Sequence, residues 1–225
     1  MFDRLELLIG KEKLNKIQST KVLVIGVGGV GGSCALSLVR SGIKNIVIID
    51  FDKVDITNIN RQVVAYHSTI GKKKVDVLEN IIKDINLECN VKKYDLYLDK
   101  NNIKEILDNE SPNFIIDCCD SKETKKEIIK ESLNRNIDFI SSMGTGCKMD
   151  PSLLEITDIR KTNNDPLARI FRKWVKDEKI NKKIPVLCSK EVPIKSGKVV
   201  ASNAFVPNSA GLLISSYVIR KIIND

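Results

Sequence analysis

Val22-Leu23-Val24-Ile25-Gly26-Val27-Gly28-Gly29-Val30-Gly31 is an apolar run of strand length that breaks into a glycine cluster. A second apolar run, Ile46-Val47-Ile48-Ile49, ends on Asp50. The pattern predicts a strand, a tight glycine turn, a helix opening at that turn, and a second strand with a carboxylate at its tip. Glycine there lets the backbone turn sharply and approach a phosphate, which rests on the unpaired N–H groups of a helix N-terminus. An acid about 20 residues further on suits the ribose hydroxyls of an adenine nucleotide. Close packing of helix on strand also selects glycine, so the cluster implies a nucleotide without saying which one.

Working outward, strand-length apolar runs at 22–25, 46–50, 91–97, 114–117 and 139–142 alternate with helical patterns near 30–41, 73–85, 101–109 and 121–134. That alternation predicts an α/β fold with a Rossmann-like, doubly wound sheet that is parallel in the first half of the chain. Ligands of such sheets bind at the carboxyl ends of the strands. After Pro151 the rhythm changes. Short strands are expected at 153–156 and 184–187, flanking a helix that starts at Asp165-Pro166, a capping acid followed by a first-turn proline. A further strand at 199–205 and a last helix over 209–223 complete the expectation, with antiparallel strands extending the sheet on the substrate side. No repeat, low-complexity block or linker divides the chain. The expectation is one domain, residues 1–225, with a nucleotide half (1–150) and a substrate half (151–225).

The chain has 225 residues, 42% apolar and 29% charged, which is ordinary for a globular protein able to bury a sizeable core. No apolar stretch approaches the roughly 18–20 residues that span a bilayer. Met1-Phe2-Asp3-Arg4-Leu5-Glu6 is charged and holds no signal-type apolar block, so the expected location is cytoplasmic and no membrane partner is expected. Cys34, Cys89, Cys118, Cys119, Cys147 and Cys188 lack the CxxC pairing of zinc knuckles, so no structural zinc is expected. The formal charge is +8, and part of the excess lies in one run: Arg169, Arg172, Lys173, Lys176, Lys179, Lys182 and Lys183 against Asp177 and Glu178. A solvated helix face and a nucleic-acid contact both account for that run. Trp174 inside it suits either base stacking or packing of the helix on the body.

The residues after each strand carry the chemistry. Asp50-Phe51-Asp52-Lys53-Val54-Asp55-Ile56-Thr57-Asn58-Ile59-Asn60-Arg61-Gln62 is a polar loop ending in a guanidinium, whose fixed fork of donors matches phosphate oxygens. Gly71-Lys72-Lys73-Lys74 then opens a helix and places a cation beside the same pocket; a loop with solvated lysines is the plainer alternative. Asp117-Cys118-Cys119-Asp120 puts two carboxylates at a strand tip, where they would ligate Mg²⁺, a hard cation that bridges phosphates. Alternatively Asp117 caps the turn and Asp120 caps the helix from Ser121. A glycine turn, a ribose acid, an arginine, a lysine and a metal-type carboxylate together describe a triphosphate site. A nicotinamide dinucleotide, the alternative, has little need for a metal ligand and two more cations. ATP fits better.

The ordered pattern GxGGxG, DxDxV…NxNRQ, GxxK and DxxD resembles the ubiquitin-activating-enzyme-like (E1-like) superfamily of ATP-dependent adenylyltransferases. Within it, the chain is most similar to the tRNA threonylcarbamoyladenosine dehydratases. That likeness is carried by Phe2-Asp3-Arg4-Leu5-Glu6-Leu7-Leu8-Ile9-Gly10, Thr57-Asn58-Ile59-Asn60-Arg61-Gln62, Ser141-Ser142-Met143-Gly144-Thr145-Gly146, Asp165-Pro166-Leu167-Ala168-Arg169 and Phe205-Val206-Pro207-Asn208-Ser209-Ala210-Gly211. The resemblance implies that Asp50 holds ribose, that Arg61 and Lys74 contact the triphosphate, that Asn58 and Gln62 line the phosphate pocket, and that Asp120 holds Mg²⁺. The implied cofactor set is Gly26, Gly28, Gly29, Gly31, Asp50, Asp52, Asn58, Arg61, Gln62, Lys74, Asp120 and Ser121, with Arg61, Lys74 and Asp120 catalytic. It also implies a tRNA substrate, with the 169–183 run on its backbone, a homodimer, and a reaction in which a carboxylate is adenylated and then cyclised with loss of water. Arg4 falls where a partner subunit's arginine reaches across in family dimers; a surface arginine on an amphipathic helix explains it equally. A sulfur-relay partner protein stays open.

The alternative of another substrate class is an adenylyltransferase acting on the C-terminus of a ubiquitin-like sulfur-carrier protein. Such enzymes often carry CxxC pairs and a catalytic cysteine in the second half, a region where Cys188 lies. In the dehydratase reading Cys188 is only a strand position. His67, the lone histidine, is expected to be structural or solvated.

Overall fold

The computed structural model describes residues 1–194, 197 and 200–224. Seven strands form one sheet: β1 (Lys21–Ile25), β2 (Asn45–Ile49), β3 (Asn90–Tyr94), β4 (Phe114–Asp117), β5 (Asp138–Ser142), β6 (Leu154–Asp158) and β7 (Pro185–Ser189). Their spatial order is β3-β2-β1-β4-β5-β7-β6. The helices are α1 (Asp3–Ile9), α2 (Lys11–Ser19), α3 (Gly29–Arg40), α4 (Lys74–Ile85), α5 (Ile103–Glu110), α6 (Lys122–Arg135), α7 (Pro166–Asp177) and α8 (Phe205–Asn224).

Alternate residues of each strand face opposite ways, so every buried strand feeds two cores. Val22, Val24, Ile46, Ile48, Phe114, Ile116 and Ile140 pack under α2, α3, α4 and α8. Leu23, Ile25, Val47, Ile49, Ile115, Phe139 and Val186 pack against α5, α6 and α7. The strands from β3 to β7 run parallel, and β6 pairs antiparallel with β7, Leu154 opposite Ser189 and Asp158 opposite Pro185. The antiparallel extension is therefore carried by the edge strand β6, while β7 still pairs parallel to β5. After β3 the chain crosses back over β2 and β1 to lay down β4. That reversal opens a crevice at the carboxyl ends of β1 and β4, where doubly wound sheets bind ligands.

Three local expectations change. β3 stops at Tyr94, and Leu96, Tyr97 and Leu98 leave the sheet to line a cavity. The strand expected at 199–205 does not form at its described positions: 200–204 is irregular, and Val199 lies outside the described residues. The last helix starts at Phe205 instead of 209, because Asn203 Oδ1 accepts the Phe205 and Val206 N–H groups and Pro207, in the first turn, has none to satisfy. Two short helices, α1 and α2, also precede β1.

Candidate active site

A cavity of about 560 Å³ opens at that crevice. It is lined by Gly26, Gly28, Gly29, Asp50, Asp52, Asn58, Arg61, Gln62, Lys74, Asp120 and Ser121. Residues up to 95 positions apart in the chain thus meet in one space.

The glycine turn builds its floor. Gly26 has φ 82°, and a Cβ there would stand 2.8 Å from the Cys118 carbonyl oxygen, so only glycine lets β1 pass the β4 tip. Gly28 and Gly29 face the cavity at the N-terminus of α3, where unpaired N–H groups and the helix dipole favour an anion. Gly31 does not line the cavity. A Cβ at Gly31 would lie 1.8 Å from the Gly26 carbonyl oxygen, so this glycine seats α3 on the turn.

Asp50, at the tip of β2, holds the turn in place. Its Oδ2 accepts from Val27 N at 2.7 Å and its Oδ1 from Asp52 N at 2.9 Å. Burial lifts its carboxyl above the ordinary aspartate value, against the pull of these two N–H groups and of the Lys74 charge. Each oxygen keeps a second lone pair for a ribose hydroxyl. Lys74 opens α4 and is 5% exposed; its Nζ sits 2.7 Å from Asp52 Oδ2. The pair thus joins a buried ammonium to a half-exposed acid at the cavity wall.

Asp55 and Asn58 form a capping box that shapes the loop between β2 and α4, with Asn58 Oδ1 accepting from Asp55 N. Arg61 Nη1 is tethered to Thr57 O at 2.7 Å and Asn60 Oδ1 at 2.9 Å, which leaves its Nε and Nη2 N–H groups for a ligand. Gln62 is buried, and its Oε1 has no donor among the described residues. Buried amide oxygens are nearly always paired, so an orphan at a cavity wall marks a missing partner.

The β4 tip separates the two carboxylates that the sequence places together. Asp117 is fully buried: Lys125 Nζ lies 2.9 Å and Ser141 Oγ 2.6 Å from Oδ2, while Cys119 N donates to Oδ1 at 3.1 Å. It is consumed by this network and is no metal ligand. Lys125, equally buried, goes unforeseen in the sequence because it reads as one of several lysines on a charged helix. Burial opposes its charge, yet the Asp117 carboxylate outweighs burial and its ammonium titrates above the usual lysine value. Asp120 is exposed, lines the cavity and has no hydrogen-bond or ion-pair partner in the described residues. Ser121, not Asp120, caps α6, accepting from Thr124 N; it also meets Tyr97 OH at 2.8 Å. Its hydroxyl is therefore largely committed to structure.

The opposite wall is built by Ser142 at the end of β5, by Met143, Gly144, Thr145 and Gly146 after it, by Leu167 at the start of α7, and by Val200, Ser202 and Pro207. Beneath it Lys148 Nζ, itself buried, binds Gly144 O at 2.7 Å and Asp165 Oδ2 at 3.2 Å, and Asp165 Oδ1 caps α7 through Ala168 N. Arg169, Lys173 and Lys176 are exposed along α7. Trp174 is buried edge-on against Phe171 at 5.7 Å, so it packs and does not stack on a base. Cys188 is buried in β7, where loss of solvent pushes its thiol up to about 11, the opposite of an activated nucleophile. His67 is exposed in a short 3₁₀ turn and Arg4 is exposed on α1; neither lines the cavity. Among the described residues no group of three or more His, Cys, Asp or Glu is placed to hold a metal, and no helix is long and apolar enough to cross a membrane.

The ThiF family pattern matches residues 2–223. The chain belongs to the ThiF family. It is 39% identical over 242 residues to the tRNA threonylcarbamoyladenosine dehydratase of Bacillus subtilis, covering 100% of this chain and 95% of that protein. It also superposes on the E. coli tRNA N6-threonylcarbamoyladenosine dehydratase in complex with ATP, with a TM-score of 0.93 and 29% identity, over 99% of this chain and 93% of that one. The complex of that E. coli enzyme with AMP matches with a TM-score of 0.92 and 29% identity, over 97% of this chain and 92% of the other.

Proposed function

We propose that this chain is an ATP-dependent tRNA threonylcarbamoyladenosine dehydratase. It adenylates the threonylcarbamoyl carboxylate on modified adenosine 37 of tRNA, then closes the ring with net loss of water, releasing AMP and pyrophosphate. The observation that carries this reading is the convergence of the glycine turn, Asp50, Arg61, Lys74 and the unpartnered Asp120 on one cavity. Asp50 takes the ribose. The N-terminus of α3 with Gly28 and Gly29 takes phosphate, and Arg61 and Lys74 neutralise charge on the transferring and leaving oxygens. The α-phosphate is held for in-line attack, so the substrate carboxylate reacts as part of one complex.

Mg²⁺ fits this site. Asp120 is a single accessible carboxylate with no competing partner among the described residues, and Mg²⁺ is bound through one or two carboxylates with substrate phosphates and water supplying the rest. Bound there, it would neutralise phosphate charge. No enzyme thiol is needed, because the acceptor nitrogen belongs to the substrate itself. The buried, up-shifted Cys188 weighs against the sulfur-carrier alternative. The exposed cations of α7 begin beside the cavity wall and suit a phosphate backbone. The exposed Leu7 and Leu8 of α1 and Phe205, Leu212 and Leu213 of α8 suit a homodimer interface, and the cytoplasm is the matching compartment for a tRNA substrate.

Mass spectrometry of nucleosides from threonylcarbamoylated tRNA, incubated with the protein and ATP, tests the proposal. The modified nucleoside should lose the mass of one water; an unchanged nucleoside refutes the reading.

A further inference from the structure

After Met143 N, which donates to Leu187 O at 2.7 Å, the chain leaves the β5–β7 ladder. The next main-chain N–H group with an acceptor is that of Cys147, which donates to Ala201 O at 2.8 Å. Between them the N–H groups of Gly144, Thr145 and Gly146 have no acceptor among the described residues, although all three residues are partly buried and line the cavity. The Thr145 hydroxyl is likewise without a partner there. Three successive main-chain donors left free on a cavity wall form a concave site suited to an anionic or carbonyl oxygen. The surroundings are prepared for one. Asp165, whose carboxylate lies beside Gly144, is engaged by Lys148 Nζ and Ala168 N, and Lys148 also binds Gly144 O. Gly146 is kept bare because a Cβ would stand 2.3 Å from Val200 Cγ1.

We infer that the Gly144-Thr145-Gly146 loop is the carboxylate cradle and oxyanion site of this enzyme, facing the nucleotide wall across the cavity. The inference rests on the dehydratase reading and assigns the substrate side of the same site. In the first step the loop holds the threonyl carboxylate. One carboxylate oxygen bonds the α-phosphorus of ATP, the bond from that phosphorus to the bridging oxygen breaks, and pyrophosphate leaves with the electron pair. In the second step the ureido nitrogen bonds the acyl carbon and the carbonyl electron pair moves onto oxygen. Its return expels AMP with the electron pair of the broken C–O bond, and the proton of the nitrogen passes to solvent. The charge that appears on the carbonyl oxygen is taken up by the free N–H groups of the loop, which is how main-chain donors accelerate acyl transfer.

Single-turnover quench experiments with ATP and threonylcarbamoylated tRNA separate the adenylate from the cyclic product. Thr145→Pro removes the main-chain donor together with the hydroxyl: ring closure should slow about 100-fold relative to Thr145→Val and the adenylate should accumulate, with ATP affinity unchanged. Thr145→Val keeps the N–H and loses the hydroxyl: the KM for tRNA should rise about tenfold while ring closure stays within about threefold of wild type. If Thr145→Pro does not fold, an amide-to-ester exchange at position 145 reads the same donor with the side chain intact. Wild-type ring closure in a folded Thr145→Pro or ester variant overturns the cradle, and so does identical behaviour of Thr145→Pro and Thr145→Val. A wild-type protein that forms no cyclic product refutes the dehydratase reading instead.

Discussion

Replacing Lys125 by methionine removes the cation that neutralises the fully buried Asp117. The two side chains are 0% exposed and 2.9 Å apart. Methionine fills nearly the same volume, so the perturbation is electrostatic and leaves no large cavity. Asp117 would keep the Ser141 hydroxyl at 2.6 Å and the Cys119 N–H at 3.1 Å. Breaking a buried pair by deleting one partner costs about 3–5 kcal/mol, and these surviving donors place K125M near the lower end, about 3 kcal/mol. For a chain of this length a kcal/mol moves Tm by roughly 2–4 °C, so a drop of roughly 6–12 °C is expected. Differential scanning calorimetry of wild type, K125M and K125M/D117N reads it. The double variant, with a neutral amide in place of the orphaned charge, should recover most of the loss. A K125M protein within about 1 kcal/mol of wild type would refute the argument that Asp117 is a structural anion and would return it to the pool of metal-ligand candidates.

Other perturbations follow from the same geometry. Arg61→Ala should cut ATP–pyrophosphate exchange by about 100-fold or more while the melting temperature stays within experimental error; exchange at the wild-type rate would remove Arg61 from the site. Asp120→Asn should weaken the Mg²⁺ dependence of exchange with little change in stability, measured by Mg²⁺ titration, because no described residue bonds that carboxylate. Gly31→Ala should destabilise the fold by about 1–3 kcal/mol or more, whereas Gly28→Ala, whose nearest new contact is 3.7 Å away at Gln62 Nε2, should fold normally and bind ATP poorly. Paired melts and nucleotide titrations separate these two roles. Burial raises the Asp50 carboxyl above 3.8, so its folded form holds a proton more tightly than its unfolded form. Stability from this group is fully present below 3.8 and is lost as pH rises through the raised value. The wild-type advantage over Asp50→Asn should therefore shrink with rising pH in that window and level off above it.

Much of this was legible in the residues. A strand, glycine turn, helix and acid-tipped strand have a local signature, since each depends on neighbours within about 30 residues. The same holds for the Asp165-Pro166 start of α7. The run Val199-Val200-Ala201 reads as apolar and so suggests a strand over 199–205, but 200–204 is irregular and Asn203 starts a helix at Phe205 instead. Gly31 and Gly28 are indistinguishable in sequence. What separates them is a carbonyl oxygen 1.8 Å from one absent methyl group and only an ordinary van der Waals contact, Gln62 Nε2 at 3.7 Å, beside the other. The two acids of Asp117-Cys118-Cys119-Asp120 look equivalent for the same reason.

The order of motifs along the chain determined the sheet class, the nucleotide crevice and the residue types that surround it, because glycine turns, caps and strand periodicity are short-range properties of the backbone. Only the folded chain decided which of those residues remain available. Asp117 is neutralised by a lysine eight positions on, Ser121 is spent on a helix cap, and Gln62 and the 144–146 loop hold hydrogen-bonding groups with no partner among the described residues. Such availability depends on partners brought together from distant segments, and no spacing rule encodes it.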